Sequence, residues 1–170
     1  MLGDEYRGVQ SKSGITPLLL VVVAGNAVVV QTLARQNPSD VTARINSDFR
    51  MLGIPSGMTP LHLAVTYYST NHTEIVTSLL EHGANQNAAH DKAGLPPLYC
   101  AAVTQNLNGL NAFIFCVGER LQIEKGNGVV SDTALGAAAY AGTTAIVEAL
   151  LAANANPAHI QNLGSMNPMS

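Results

Sequence analysis

Apolar residues in this chain come in paired bursts with a fixed internal pattern. Four first bursts align: GITPLLLVV from Gly14, GMTPLHLAV from Gly57, GLPPLYCAA from Gly94 and SDTALGAAA from Ser131. Their fifth residues, Leu18, Leu61, Leu98 and Leu135, stand 43, 37 and 37 residues apart. A second burst follows the first. EIVTSLLEHGAN (Glu74 to Asn85) matches TAIVEALLAANAN (Thr144 to Asn156), and VVVQTLARQN (Val28 to Asn37) fits the same frame more loosely. Leu18 to Leu33 and Leu135 to Leu150 both span 15 residues, whereas Leu61 to Leu79 spans 18. The three extra residues fall near Tyr68 to Asn71, a polar stretch suited to a loop.

Each unit predicts a short helix, a turn and a second helix. Thr16, Thr59 and Thr133 stand at N-cap positions, where a hydroxyl accepts a bond from a free helix N–H. Pro17, Pro60 and Pro97 follow at the first helical position, where a missing N–H costs nothing. Ala64, Ala101 and Ala138 are small enough to let neighbouring helices approach. The second helix carries an apolar face at Ile75, Val76, Leu79 and Leu80, repeated at Ile146, Val147, Leu150 and Leu151. Gly83 ends it, with Asn37 and Asn154 at the matching positions, and both residue types tolerate a left-handed C′ backbone. A unit of this size cannot bury its apolar face alone, so the units must stack.

Composition narrows the classes. The 170 residues are 47% apolar and 11% charged, with 8 basic and 11 acidic residues and a net charge of −3. There is no basic surplus for gripping phosphates, and no Lys/Arg run for an anionic membrane. The expected partners therefore exclude nucleic acid. Ile15 to Val30, the most apolar stretch, is interrupted by Pro17, Gly25 and Asn26, and a spanning helix needs about 20 apolar residues. A secretory signal would use Arg7 and Lys12, the LLLVVVA core and cleavage at Ala27. Asp4 and Glu5 argue against it, and the repeat frame already claims the stretch. Asn71-His72-Thr73 is a formal glycosylation acceptor that decides nothing alone. Two cysteines cannot form a disulfide framework, which points to a reduced, cytoplasmic setting.

The stretch GMTPLHLAV…HTEIVTSLLEHGANQNA resembles an ankyrin repeat, whose signature includes T-P-L-H-x-A. The match is strong in the second unit and good in the fourth. In the first unit Leu19 replaces the motif's His. In the third, Pro96 replaces Thr, Tyr99 replaces His, and the second helix lies within NGLNAFIFCVGER. The resemblance implies an all-α solenoid forming a single domain over 1–170. Its repeats would run approximately 14–56, 57–93, 94–130 and 131–163, with 164–170 opening a truncated fifth. It implies a non-catalytic protein-interaction scaffold that binds a protein partner through finger loops and the concave helix face. An accessory domain cut from a larger enzyme or channel, or a secreted or periplasmic repeat protein, are the alternatives. It also implies that His62 and His72 are structural, with His62 bonding backbone between repeats.

No residue pattern points to a cofactor, a metal or a catalytic centre. His62, His72, His82 and His90 do not return to one helix face, so zinc is not expected. Cys100 aligns with Leu63, and Cys116 lies in a helix. Neither has a base nearby in sequence, and buried free Cys behaves as a small apolar residue. Gly126-Asn127-Gly128 reads as a turn rather than a phosphate cradle.

The connections between units differ in length. Asn37 to Gly57 spans 20 residues against 11 for Gly83 to Gly94. The long one carries Arg44, Phe49, Arg50, Met51, Leu52 and Ile54, which form either a contact surface or a satellite core. Tyr67 and Tyr68 are the other aromatic anchors. The expected protein-binding set is Arg44, Phe49, Arg50, Met51, Tyr67, Tyr68, His90 and Lys92. The fourth unit has Glu148 as its single charge between Ala134 and Ala153, so the C-terminal face is expected to be uncapped and prone to self-association.

Overall fold

The computed structural model describes residues 14–67, 69–90, 94–126 and 133–158. The helices come in pairs. α1 (Pro17–Val23) is followed by α2 (Ala27–Gln36), and a short α3 (Pro38–Val41) comes next. α4 (Pro60–Thr66) pairs with α5 (His72–Glu81). α6 (Pro97–Val103) pairs with α7 (Leu107–Val117), and α8 (Ala134–Ala141) with α9 (Thr144–Ala152). First helices pack on first helices in the order α1, α4, α6, α8, and second helices on second helices in the order α2, α5, α7, α9. The result is a two-layer all-α stack. Strand-like pairing among the described residues is limited to the isolated bridges Phe49–Ile54 and His90–Leu95.

Most of the expected caps and core are in place, although Leu151, expected on the buried face of the last helix, is exposed. The Thr16 hydroxyl accepts from the Leu19 N–H at 3.3 Å, and that of Thr133 from the Gly136 N–H at 3.1 Å. Pro96, which replaces Thr in the third unit, offers no such bond. Leu18, Leu61, Leu98 and Leu135 are all buried, and so are Ile75, Val76, Leu79, Ile146 and Leu150. One capping expectation fails. Gly83 and Asn154 have positive φ, at 95° and 68°, but Asn37 has φ −131°. The chain does not reverse there. Asn37 closes α2 and at once begins α3, whose first residue is Pro38.

Polar side chains lock one unit to the next. The His62 Nε2–H donates to the Leu95 carbonyl at 3.0 Å. A carbonyl can only accept, so the proton sits on Nε2. Nδ1 then accepts from the Thr59 hydroxyl at 2.9 Å and the Thr59 N–H at 3.3 Å. His72 holds the opposite tautomer. Its Nδ1–H donates to the Ala64 carbonyl at 2.8 Å, and its Nε2 accepts from the Ser69 N–H at 3.2 Å. The Asn71 amide donates to the Gly25 carbonyl at 2.8 Å, and the Asn106 amide to the Tyr67 carbonyl at 3.2 Å. Each of these asparagines stands just before a second helix and ties its turn to that of the preceding unit.

Gly109, in the first turns of α7, marks a tight crossing on α4. A Cβ there would sit 2.3 Å from the Val65 carbonyl oxygen. Elsewhere in a helix, Gly to Ala gains about 1 kcal/mol. Here the sign inverts, and Gly109→Ala is expected to cost about 1–3 kcal/mol through overpacking. Chemical denaturation of the two proteins measures it. A stabilised variant would mean that α4 and α7 are further apart than described.

His62 yields a second test. Burial pushes its pKa down from 6.5 to about 4, with His90 and Arg44 adding to the effect, although the bond to Leu95 opposes it. The unfolded chain therefore binds a proton that the native ring refuses. Stability is unaffected above pH 6.5 and falls as the pH drops towards 4, by about 3 kcal/mol in all. His62→Ala, expected to cost about 1–3 kcal/mol at pH 7, should lose this part of the pH dependence. Denaturation midpoints at pH 7 and pH 4.5 measure it, and equal acid sensitivity of the two proteins would refute the assignment.

Candidate binding surface

The first connection is built rather than loose. Val41, Ile45 and Ile54 are buried in the main core, and Phe49 packs against it half-exposed. Phe49 and Ile54 exchange backbone bonds of 2.8 and 3.2 Å around the tight turn at Arg50–Leu52, which Gly53 closes with φ 63°. The Ile45 N–H donates to Met58 at 3.1 Å, and the Gly57 N–H to Ile45 at 2.6 Å. This makes a finger held at its base. Successive connections are also stapled together. The Arg44 guanidinium donates to the Gly57 carbonyl at 3.2 Å and to the Ala89 carbonyl of the second connection. The Gln86 amide donates to the Arg120 carbonyl at 2.9 Å, and the Asn156 N–H to the Glu124 carboxylate.

The eight expected contact residues divide on this frame. Arg44 is engaged in the staple just described. Phe49 leans on the core, while Arg50 is exposed at the finger turn. Tyr67 is half-buried, and its hydroxyl donates to the Leu52 carbonyl at 2.9 Å. Burial pushes the Tyr67 phenol pKa up. His90 faces the His62 ring edge-on at 6.2 Å, and its Nδ1 is buried without a hydrogen-bond partner among the described residues. Tyr68 and Lys92, like the side chain of Met51, lie outside the described residues, as do the Asn127-Gly128 turn and the expected fifth repeat.

The structure adds residues that sequence reading did not single out. On the first-helix layer Val103 is 50% exposed and Tyr140 is 90% exposed. Both stand five residues after the repeated leucine, at Leu98 and Leu135, which is the signal that could have found them. Leu20 is also exposed, as is Leu52 of the long connection, which the sequence already marks. Between the finger and these helices runs an apolar groove of about 390 Å³, lined by Gly53, Pro55, Met58, Thr66, Tyr67 and Thr104. Exposed apolar side chains around a shallow groove suit contact with another protein better than capture of a small molecule.

Chemistry for catalysis is sparse here. Burial pushes the Cys100 thiol up to about 12, which leaves it protonated and unreactive. Among the described residues no three His, Cys, Asp or Glu side chains are grouped to hold a metal ion. No helix among them is long and apolar enough to cross a membrane.

Comparison with known proteins agrees with this architecture. A family model for ankyrin repeats (3 copies) matches residues 2–89 and 43–125. Among solved structures, the ankyrin repeat domain of Bcl-3, described as a unique member of the IkappaB protein family, is 27% identical with a TM-score of 0.66. The match covers 85% of this chain and 59% of that one, so this chain spans less than two thirds of the length of its structural relative. The paired helices, the T-P-L-H cap with its inter-unit histidine bond and the family match over most of the sequence agree: the chain belongs to the ankyrin repeat family.

Proposed function

We propose that this protein is a non-catalytic scaffold that binds a protein partner through its finger loops and first-helix layer. Ankyrin repeats are generally protein-interaction modules, and the observation that carries the reading to this chain is the exposure of large apolar side chains on the finger and first helices. Leu52, Val103 and Tyr140 are exposed there, and the groove lined by Pro55, Met58, Tyr67 and Thr104 opens on the same side. The mechanism is rigid presentation. Bonds between successive connections hold the fingers before the partner arrives, so little ordering cost remains on binding. Arg50, exposed at the finger turn, supplies a polar rim, and His90 and Lys92 belong to the same proposed contact set. Arg44 and Phe49 act by holding the finger. A cytoplasmic setting, where free thiols persist, belongs to the same reading. So does self-association at high concentration through the last helix pair, where Tyr140 and Leu151 are exposed.

The test is comparative capture of a cross-linked partner by the intact chain and two variants. Val103→Ser with Tyr140→Ala should weaken capture by at least about 1–2 kcal/mol. Stability should stay within about 0.5 kcal/mol, since both side chains are surface groups. Phe49→Ala should instead lower the melting temperature. Full partner capture by the Val103/Tyr140 variant would overturn the reading.

A further inference from the structure

The second-helix layer carries a separate surface. α5 lies between α2 and α7, and each crossing leaves a trough. The α2–α5 trough, about 420 Å³, is lined by Val28, Gln31, Thr73, Glu74, Thr77 and Glu81. The α5–α7 trough, about 520 Å³, is lined by Thr70, Thr73, Asn108, Asn111 and Phe115 among others. Thr73 lines both, so the two run together over the first turn of α5. Each end carries an apolar knob, with Val28 74% exposed and Phe115 77% exposed. These are large apolar groups left in solvent on otherwise amphipathic helices, on the face opposite the finger loops.

The charges on this layer have one dominant sign. Glu74 and Glu81 line the first trough, and no Lys or Arg lines either one. Neither carboxylate forms an ion pair among the described residues. The one cation on these four second helices, Arg35, is in the last turn of α2 and lines neither trough. Ser78 also lines the first trough, with its hydroxyl unpaired among the described residues. The polar lining is therefore acceptor-rich carboxylate with neutral amides and hydroxyls, bracketed by two hydrophobic contacts.

We propose that this outer groove is a second docking surface, which takes an amphipathic cationic segment of another protein. Its apolar side chains would cover Val28 and Phe115, and its Lys or Arg groups would meet Glu74 and Glu81. Charge argues against the other occupants. A second copy offering the same face would set carboxylate against carboxylate, and an anionic membrane or nucleic acid would be repelled. Adjacent helix axes lie 8–10 Å apart, so the groove crosses roughly 20 Å. A helical segment of about 13 residues, or about six extended residues, spans it.

The protein carries its own reporter. The Cys116 sulfur lies 3.2 Å from the Thr77 hydroxyl and 3.6 Å from the Thr73 carbonyl, beneath the groove, and is partly exposed. Cys100 is buried and should stay silent. The probe is a synthetic amphipathic peptide of about 14 residues, with leucines on one face and lysines on the other. With the intact chain, it should slow iodoacetamide labelling of Cys116 at least about fivefold at saturation and shift the backbone amides of 27–31, 73–81 and 108–115. The same peptide with Glu in place of Lys should do neither. Glu74→Gln with Glu81→Gln should weaken lysine-peptide binding about tenfold while leaving the melting curve unchanged. Equal affinity for the double variant, or amide shifts confined to the Thr66, Val103 and Tyr140 side, would overturn the proposal.

Discussion

Seven-residue helices do not hold themselves in water. α1, α4 and α6 each have seven residues, whereas isolated helices shorter than about 12–15 residues are marginal even with ideal sequences. Their stability must come from the apolar faces that neighbouring units cover. The buried leucine column at positions 18, 61, 98 and 135 is the physical form of that dependence. Small residues follow from it. Ala64, Ala101 and Ala138 are buried where first helices stack, and Gly109 admits the Val65 carbonyl at a separation that no side chain could share.

Short helices also leave many backbone groups without intrahelical partners, since each end orphans several N–H or C=O groups. This chain satisfies a number of them across units rather than within them. His62 bonds Leu95, Asn71 bonds Gly25, and Asn106 bonds Tyr67, so each bond both completes a turn and fixes the neighbouring turn's position. Of the two motif histidines only His62 bonds across units, while His72 bonds Ala64 and Ser69 of its own unit, and they use opposite tautomers because their carbonyl partners lie on opposite ring nitrogens. A side chain with both ring nitrogens engaged in this way, as in His62 and His72, is held for structure rather than for proton transfer or metal binding.

Much of this was legible in the sequence because it depends on period and local chemistry. The Thr-Pro starts follow from residues within one unit, the leucine spacing from comparing units, and the role of His62 from the resemblance of TPLH to the ankyrin motif. The long connection was harder. Its Val41, Ile45 and Ile54 show no helical or strand period, so sequence could not separate a satellite core from a contact surface. Structure shows the core, with Phe49 leaning on it. Asn37 was read as a left-handed terminator because Asn tolerates that conformation. The following Pro38, favourable at a helix start, instead carried the chain directly into α3. Arg44 looked like a contact residue because cations are rare here. Its partners are carbonyls 13 and 45 residues away, a separation that no local pattern encodes. Phe115 is hidden in the run FIF, where successive helical residues point in different directions: Phe113 is buried, Ile114 packs against the core partly exposed, and Phe115 faces solvent.

Low charge density has a consequence for recognition. Few long-range fields steer partners to a chain with 19 charged residues, 8 basic and 11 acidic, in 170. Specificity then has to come from shape and from where isolated charges stand among apolar contacts. The two layers differ in this respect. The first-helix layer and its fingers present Leu52, Val103 and Tyr140 together with an apolar groove at Pro55, Met58 and Tyr67, with Arg50 at the finger turn. The second-helix layer presents Val28 and Phe115 with Glu74 and Glu81 between α2 and α7. Because the units are cross-bonded, neither layer has to reorganise to display its side chains. A rigid body whose two faces differ in this way, one apolar with Arg50 at its edge and the other carrying Glu74 and Glu81, can discriminate between partners by complementarity.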